Sequence, residues 1–105
     1  MKDHEKIVEA VQSRLETVID PETGTNVVHM RLVRDLQVDA NGKVTYLFQP
    51  SSPLCPIAAS LAMSIIEAIH EVPGVSEQDM QVIGYVYADE LNALLKPLFS
   101  KTPDK

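Results

Sequence analysis

The chain's single cysteine, Cys55, is the residue whose position most favours chemistry. It stands between Pro53 and Pro56, where a long apolar helical pattern begins, and proline is favoured at the first position of a helix. The spacing therefore predicts that Cys55 is the N-cap of this helix. The free N–H groups at a helix start stabilise a thiolate, which is a better nucleophile and metal ligand than a thiol. The alternative is that Cys55 fills a small space in the core, because free cysteine is among the most buried residue types.

Polar residues in two predicted loops are placed to support such a thiol. Ser51 and Ser52 stand just before Cys55, where their hydroxyls could cap the helix or donate to a bound anion. Asp20 and Glu22 lie one residue apart, and two carboxylates at this spacing could bind a metal or act as acid and base. The structural alternatives are helix capping for the serines and an exposed turn for Asp20 and Glu22.

Other common chemistries lack their residues in this sequence. There is no glycine-rich phosphate loop, no Gly-x-Ser-x-Gly elbow and no Cys-x-x-Cys pair. His4, His29 and His70 have no metal-ligand spacing, so they do not indicate a zinc site. A dyad of Cys55 with His29 is the alternative for nucleophilic chemistry, if the fold brings the two together.

Composition limits the size and the partners of the protein. The chain has 105 residues, of which 45% are hydrophobic, and this length predicts one domain spanning 1–105. Its formal charge of -6 repels nucleic acid and anionic lipid, so we expect neither nucleic-acid nor membrane partners. No apolar stretch approaches the roughly 20 residues of a membrane span. The charged N-terminus lacks a signal core and the cysteine is unpaired, which predicts a cytoplasmic protein.

Hydrophobic spacing predicts three helices. The first covers about residues 4–18, the second 56–72, and a two-turn helix follows Asp89. Four leucines give this last helix its pattern, and we expect them to close the core, with contact to a partner as the alternative. They are Leu91, Leu94, Leu95 and Leu98. We expect residues 100–105 to form a frayed tail.

Period-two patterns predict three strands. Leu32–Val38 and Val44–Phe48 flank Asn41-Gly42, a pair typical of a type I′ hairpin turn, and Gln81–Tyr87 forms the third strand. The order α-β-β-α-β-α favours an α+β fold, a two-layer α/β domain with helices packed on one face of a small mixed sheet. A right-handed crossover through the second helix makes the third strand parallel to the second, and we predict that it lies beside the first, giving the order 2-1-3.

Five short segments, in this order and spacing, resemble a known family over about residues 5–87. They are Asp20-Pro21-Glu22, Asn26-Val27-Val28, Leu32-Val33, Ser51-Ser52-Pro53-Leu54-Cys55-Pro56 and Val72-Pro73-Gly74-Val75. Together they are similar to the PaaD-like or SufT-like accessory domains of iron-sulfur cluster assembly. The resemblance implies a two-layer α/β fold and a role in building clusters or delivering them to client enzymes, such as the phenylacetate oxygenase system.

The resemblance also implies a group of site residues and shows where this chain departs from the family. Its site residues correspond to Asp20, Glu22, Ser51, Ser52 and Cys55, with Thr23 alongside. The usual Asp-Leu-Gly after the paired valines is replaced by His29-Met30-Arg31, which removes a carboxylate and adds basic groups. Leu54 replaces the usual glycine before the cysteine.

The sequence therefore predicts a non-enzymatic accessory factor that uses Cys55 as a cluster ligand or exchange point. Because a cluster needs about four ligands, one cysteine could hold it only transiently and together with an iron-sulfur carrier, a client protein or a second copy in a homodimer. Two alternatives stay open. One is a thiol-dependent enzyme or redox sensor, with Cys55 tuned by Asp20, Glu22 or His29. The other is a structural adaptor that docks clients through apolar surface.

Overall fold

The computed structural model describes residues 2–21 and 23–99. The elements follow one another as α1 (Lys2–Leu15), β1 (Val33–Val38), β2 (Lys43–Phe48), α2 (Ala58–His70), β3 (Glu77–Val82) and α3 (Ala88–Leu95), which a 3-10 turn extends through Lys96–Leu98. This order confirms the predicted α+β class. The tail at 100–105, which we expected to fray, lies outside the described residues.

The hairpin between β1 and β2 forms where the sequence predicts it, but through a different turn. Among the turn residues only Gly42 has a positive φ, of 85°, whereas a type I′ turn needs two such residues. The turn closes from the Gly42 N–H to the carbonyl of Asp39, at 3.1 Å. The Asp39 carboxylate also accepts the N–H groups of Asn41 and Lys43, at 2.8 and 3.0 Å. Hydrogen bonds to the Asp39 carboxylate therefore stabilise this turn without a second residue of positive φ.

The strand order is β1-β2-β3, so the predicted order 2-1-3 is wrong. The parallel pairing of β2 with β3 is confirmed, but β3 lies beside β2. The reason is the difference between the first two strands. In β2, Val44, Tyr46 and Phe48 are buried, which suits a central strand. β1 is interrupted by an irregularity at Asp35, whose φ is 56°, and bulged strands are favoured at sheet edges.

Strand β3 occupies Glu77–Val82, earlier than the predicted Gln81–Tyr87. Its buried positions alternate as Gln78, Met80 and Val82. A glutamine at the first of these positions hides the period-two pattern, because glutamine is mostly exposed in proteins. The β-branched and aromatic residues that follow form a loop instead of a strand.

The two longer helices pack on one face of the sheet, as predicted. α1 ends at Leu15, three residues before the predicted end, and α2 begins at Ala58, two residues after the predicted start. The largest fully buried side chains of these helices are Val11, Leu15, Ile65 and Ile69. Among the described residues, no helix is both long enough and apolar enough to cross a bilayer.

Helix α3 packs along the outer edge of β3. The side-chain amide of Asn92 accepts the N–H of Val82 at 2.8 Å and donates to its carbonyl at 3.2 Å, as a neighbouring strand would. Of the four leucines predicted to close the core, Leu91 and Leu95 are buried. Leu94 and Leu98 are exposed, so the helix closes the core with one side only.

A buried polar network joins β2, β3 and α2. The hydroxyl of Tyr46 donates to Oε1 of Gln78, and Nε2 of Gln78 donates to the carbonyl of Ile66 at 2.9 Å. The backbone N–H of Gln78 donates to the carbonyl of Phe99, also at 2.9 Å. Burial raises the pKa of Tyr46 well above its ordinary value, and the negative charge of Asp79 adds to the effect. The hydroxyl therefore stays a neutral donor.

The sheet has two ends, which we name by their contents. The hairpin end consists of the turn at 39–42 and the α2–β3 connection at 71–76. The thiol end consists of the loops at 16–32, 49–57 and 83–87, and it contains Cys55. Every described residue that the sequence proposes for the site lies in these three loops, so the fold presents the candidate site at one end of the sheet.

Candidate functional site

Cys55 lies between two consecutive turns and is not the N-cap of α2. Its N–H donates to the carbonyl of Ser52 at 3.1 Å, and its own carbonyl accepts the N–H of Ala58 at 3.4 Å. The N-cap is Ile57, so the predicted capping role is wrong. The reason is that Pro56 belongs to the second turn, whereas the prediction placed it in the first turn of the helix.

The Cys55 side chain is 2% exposed and belongs to the hydrophobic core, although the segment around it is on the surface. Leu54, the preceding residue, is 72% exposed, and Pro56 is also exposed. A short surface segment thus buries its thiol and turns its neighbouring apolar side chain to solvent. Reagents and metals reach this sulfur only when the segment moves.

The two serines shape the first of these turns. The Oγ of Ser52 accepts the N–H of Leu54 at 3.2 Å, and Ser51 is exposed. No side chain caps the start of α2, so the expected capping of this helix by serine is wrong. The hydroxyl of Ser52 instead stabilises the turn that precedes Cys55, which is a common use of serine.

The first loop holds a buried carboxylate. Asp20 is 0% exposed, contrary to the expectation of an exposed turn. Its N–H donates to the carbonyl of Thr25 at 2.9 Å, and its carbonyl accepts the N–H of Gly24 at 2.7 Å. Glu22 lies outside the described residues. Thr23 is exposed, and its hydroxyl donates to Sδ of Met30 at 3.1 Å. Aspartate is almost never fully buried in proteins unless its charge is paired. The complete burial of Asp20 is therefore the most unusual feature of this loop.

Backbone hydrogen bonds connect this loop to the segment that precedes Cys55. The N–H of Val27 donates to the carbonyl of Val18 at 3.0 Å, and the N–H of Leu32 donates to the carbonyl of Val27 at 3.0 Å. The N–H of Gln49 then donates to the carbonyl of Leu32 at 2.8 Å. The loops that carry Asp20 and Cys55 therefore lie at the same end of the sheet, and a composite site is compatible with the fold.

The structure gives no support to a dyad of Cys55 with His29. The His29 side chain is exposed in a turn whose N–H donates to Oδ1 of Asn26 at 2.7 Å, whereas Cys55 is buried. Within the described part of the chain, no hydrogen bond joins the two.

A third loop, at 83–87, adjoins the Cys55 segment, and the sequence did not predict it as part of the site. The N–H of Val86 donates to the carbonyl of Pro53 at 2.9 Å, and the N–H of Ile83 donates to the carbonyl of Phe48 at 2.9 Å. The sequence predicted a strand here because of its β-branched and aromatic residues. The available signal was Gly84, which has a φ of 64° and interrupts the extended pattern.

The described residues supply few metal ligands. In the two described ranges, no group of three or more His, Cys, Asp or Glu side chains is arranged to hold a metal ion. Cys55 is the only cysteine of the chain. Within the described ranges, Cys55 is therefore a single thiol donor outside any grouped metal site.

Comparison with known proteins identifies relatives that match most of the chain. The model of a family described as iron-sulfur cluster assembly protein matches residues 8–79. An uncharacterized protein of Methanocaldococcus jannaschii is 35% identical over 88 residues, which cover 84% of this chain and 93% of the relative. The Fe-S protein maturation auxiliary factor YitW of Bacillus subtilis is 28% identical over 79 residues, which cover 75% of this chain and 78% of YitW.

A solved structure gives the same result for the fold. The crystal structure of a domain of unknown function, DUF59, from Bacillus anthracis is similar to this chain with a TM-score of 0.72 and 29% sequence identity. The similar region covers 78% of this chain and 78% of that one. This likeness extends over the two-layer architecture described above.

Proposed function

Since the chain belongs to the iron-sulfur cluster assembly protein family, we propose that it is an accessory factor in cluster assembly or delivery. The predicted resemblance is confirmed at the level of this family. In the proposal, Cys55 is a cluster ligand or exchange point and the chain has no catalytic residue. The observation that carries the proposal is the match of the family model over residues 8–79, which contains both Asp20 and Cys55.

The cluster is cargo in this proposal. A cluster takes about four ligands, usually thiolates, and this chain has one cysteine. The other ligands must therefore come from an iron-sulfur carrier, a client protein or a second copy of the chain. Sharing favours transfer, because a cluster bound to this chain by a single ligand leaves it when that one ligand is exchanged.

Burial of the thiol makes access depend on a local movement of the 51–57 segment. Ser51, Ser52, Leu54 and Pro56 in this segment are exposed, so the apolar side chains of the segment that leave the core when it moves are Cys55 and the half-buried Ile57. We propose that Ser51 and Ser52 set the shape of this segment.

Asp20 and Glu22, with Thr23 alongside, are proposed to attract iron toward the thiol without being its primary ligand.

Anaerobic reconstitution with iron and sulfide tests the role of Cys55. The wild-type chain, alone or mixed with an iron-sulfur carrier, is expected to gain charge-transfer absorbance that disappears in Cys55→Ser. Because a buried serine can destabilise the fold, Cys55→Ala serves as a second variant, and thermal melts are recorded for both. Equal absorbance in wild type and in a folded Cys55 variant would contradict the proposed ligand role.

The carboxylates are tested separately. Asp20→Asn combined with Glu22→Gln is expected to reduce iron and cluster uptake while Cys55 remains present. Glu22→Gln alone separates the two residues, since Asp20 is buried and its replacement also affects folding. Unchanged uptake by the folded double variant would show that the loop is only a turn.

A further inference from the structure

Of the exposed apolar side chains at the thiol end, three lie on two adjoining loops. They are Leu54, at 72%, Val86, at 56%, and Tyr87, at 58%, and we call them the Leu54 patch. Leu54 comes from the Cys55 segment, whereas the other two come from the loop that precedes α3. The hydrogen bond from the Val86 N–H to the Pro53 carbonyl, at 2.9 Å, brings the two loops together. The patch is therefore made by the fold and does not come from one apolar stretch of sequence.

The tyrosine of the patch is held in place before anything binds. Tyr87 packs edge to face against Tyr85, with ring centroids 5.9 Å apart and an interplanar angle of 75°. Tyr85 is half-buried against the core, and the Tyr87 carbonyl accepts the N–H of Leu91 in the first turn of α3, at 2.9 Å. An exposed aromatic side chain held in this way loses little conformational entropy when it is covered, which favours binding.

The border of the patch is acidic on one side. Asp89 and Glu90 follow Tyr87 in the first turn of α3, both are exposed, and neither forms an ion pair with another residue that the structure describes. At the β1 side of the same end, the guanidinium of Arg34 is already hydrogen bonded to Oε1 of Gln49. Together with the net charge of -6, this arrangement favours a partner with basic residues on the α3 side.

We propose that the Leu54 patch is the docking surface for a protein partner that presents an apolar side chain flanked by lysine or arginine. Exposed apolar groups combined with a fixed tyrosine and a charged border are typical of protein interfaces. Leu54 directly precedes Cys55, so the docked partner lies beside the segment that covers the thiol. That this partner donates or accepts a cluster rests on the proposed function. The docking itself does not.

The surface of α3 provides a matched control. Leu94 is 68% exposed, close to the value for Leu54, but it lies on the third helix away from the Cys55 segment. If simple exposure of leucine caused binding, Leu54 and Leu94 would behave alike. The proposal requires that they differ.

The test uses the full chain labelled with ¹⁵N and a synthetic helical peptide of roughly 16 residues, with leucine along one face and lysine beside it. Amide signals of Leu54, Val86 and Tyr87 are expected to shift during titration. Leu54→Ser should weaken binding about tenfold, as expected for a central interface residue, and Leu94→Ser should change it less than about twofold. Asp89→Asn with Glu90→Gln should weaken binding about threefold and reduce its salt dependence.

Four results would overturn the proposal. They are equal binding of a peptide with glutamate in place of lysine, shifts centred on Leu94, unchanged affinity in Leu54→Ser, and a concentration-dependent dimer that Leu54→Ser abolishes, which would assign the patch to a second copy. Circular dichroism confirms that each variant is folded.

The Cys55→Ser variant separates this proposal from the proposed function. The docking proposal expects it to bind the peptide like wild type. If cluster uptake proves independent of Cys55 while peptide binding still requires Leu54, the ligand role fails and the docking surface stands. If cluster uptake requires Cys55 but Leu54→Ser leaves peptide binding unchanged, the docking surface fails and the ligand role stands.

Discussion

The hairpin end and the thiol end are held by different kinds of contact. At the hairpin end, the N–H of Ser76 donates to the carbonyl of Gly42 at 3.0 Å, and the Ser76 hydroxyl donates to the carbonyl of Asn41 at 2.8 Å. Gly42 also lies directly against the carbonyl of Gly74. At the thiol end, Gly84 lies against the side chain of Gln49 instead. Backbone hydrogen bonds join the loops at both ends, but the tightest glycine contact is with backbone at the hairpin end and with a side chain at the thiol end.

The buried side chains at the two ends also differ. Gln78 has its hydrogen-bond partners inside the protein, in a buried network that fixes two strands and a helix. The thiol end instead combines a buried cysteine with exposed apolar side chains. This difference is consistent with the proposal that the thiol end binds a partner, because binding loops are drawn from regions of lower local stability. Four predictions test this contrast.

The largest difference is expected between Gly42→Ala and Gly84→Ala. In Gly42→Ala the new Cβ overlaps the Gly74 carbonyl oxygen, and the residue has a φ of 85°. We expect a loss of roughly 3 to 4 kcal/mol in the free energy of unfolding, of which about 1 to 2 comes from the left-handed backbone. In Gly84→Ala the Cβ lies 2.7 Å from Nε2 of Gln49, which can rotate away, so the loss is about 1 to 2 kcal/mol. Urea denaturation measures both, and equal losses would contradict the contrast.

The buried network predicts the next effect. Gln78→Met keeps the volume but leaves the Tyr46 hydroxyl without its acceptor, at a cost of about 2 kcal/mol. Adding Tyr46→Phe removes the stranded hydroxyl and should recover part of this loss, since replacing both partners by apolar groups is often nearly neutral. A double-mutant cycle measured by urea denaturation checks the coupling. Strictly additive losses would show that the two side chains do not act together.

Alkaline pH tests the same network by titration. The pKa of Tyr46 is raised by burial and by Asp79, so the folded state retains a proton that the unfolded chain loses near the ordinary value of 10.0. The unfolded state then binds fewer protons, and stability falls as the pH rises above 10. Below that value the contribution is fully present. Between about pH 9 and pH 11, around the ordinary tyrosine pKa, the free energy of unfolding should fall more steeply for wild type than for Tyr46→Phe. Parallel curves would exclude this role of the hydroxyl.

The smallest effect on stability is expected at the Leu54 patch. Leu54→Ser replaces an exposed side chain and should change the free energy of unfolding by less than about 0.5 kcal/mol. Differential scanning calorimetry measures this change. A loss comparable with that of Gln78→Met would mean that Leu54 belongs to the core in solution, which would contradict its place on a docking surface.

Much of the fold could be predicted because local signals were strong. Asn41-Gly42 between two alternating segments specified the hairpin, and the apolar face around Ile65 and Ile69 specified α2. The place of β3 could not be predicted, because Gln78 is buried through partners on other elements that no local pattern shows. The strand order failed for a related reason. It depends on which strand is paired along both of its edges, and that is a property of the whole sheet.

The candidate site shows the same limit. The sequence correctly placed Asp20 and Cys55 in separate loops, and the fold brings these loops to one end of the sheet. It gave burial of Cys55 only as the alternative and did not predict burial of Asp20, because burial depends on how distant loops cover a side chain. It also missed the Leu54 patch, since Val86 and Tyr87 have high strand propensity and are exposed only because Gly84 turns the chain. The roles proposed for Asp20, Glu22 and Cys55 remain predictions.

The amide of Asn92 also affects how the protein behaves when it is concentrated. By pairing with the N–H and carbonyl of Val82, and with Phe99 accepting the N–H of Gln78, α3 and its extension occupy much of the β3 edge. The opposite edge, at β1, is interrupted at Asp35. Neither edge offers a regular strand for another copy to extend, so edge-to-edge aggregation is disfavoured. The protein therefore exposes apolar side chains at the thiol end without also exposing a regular strand edge.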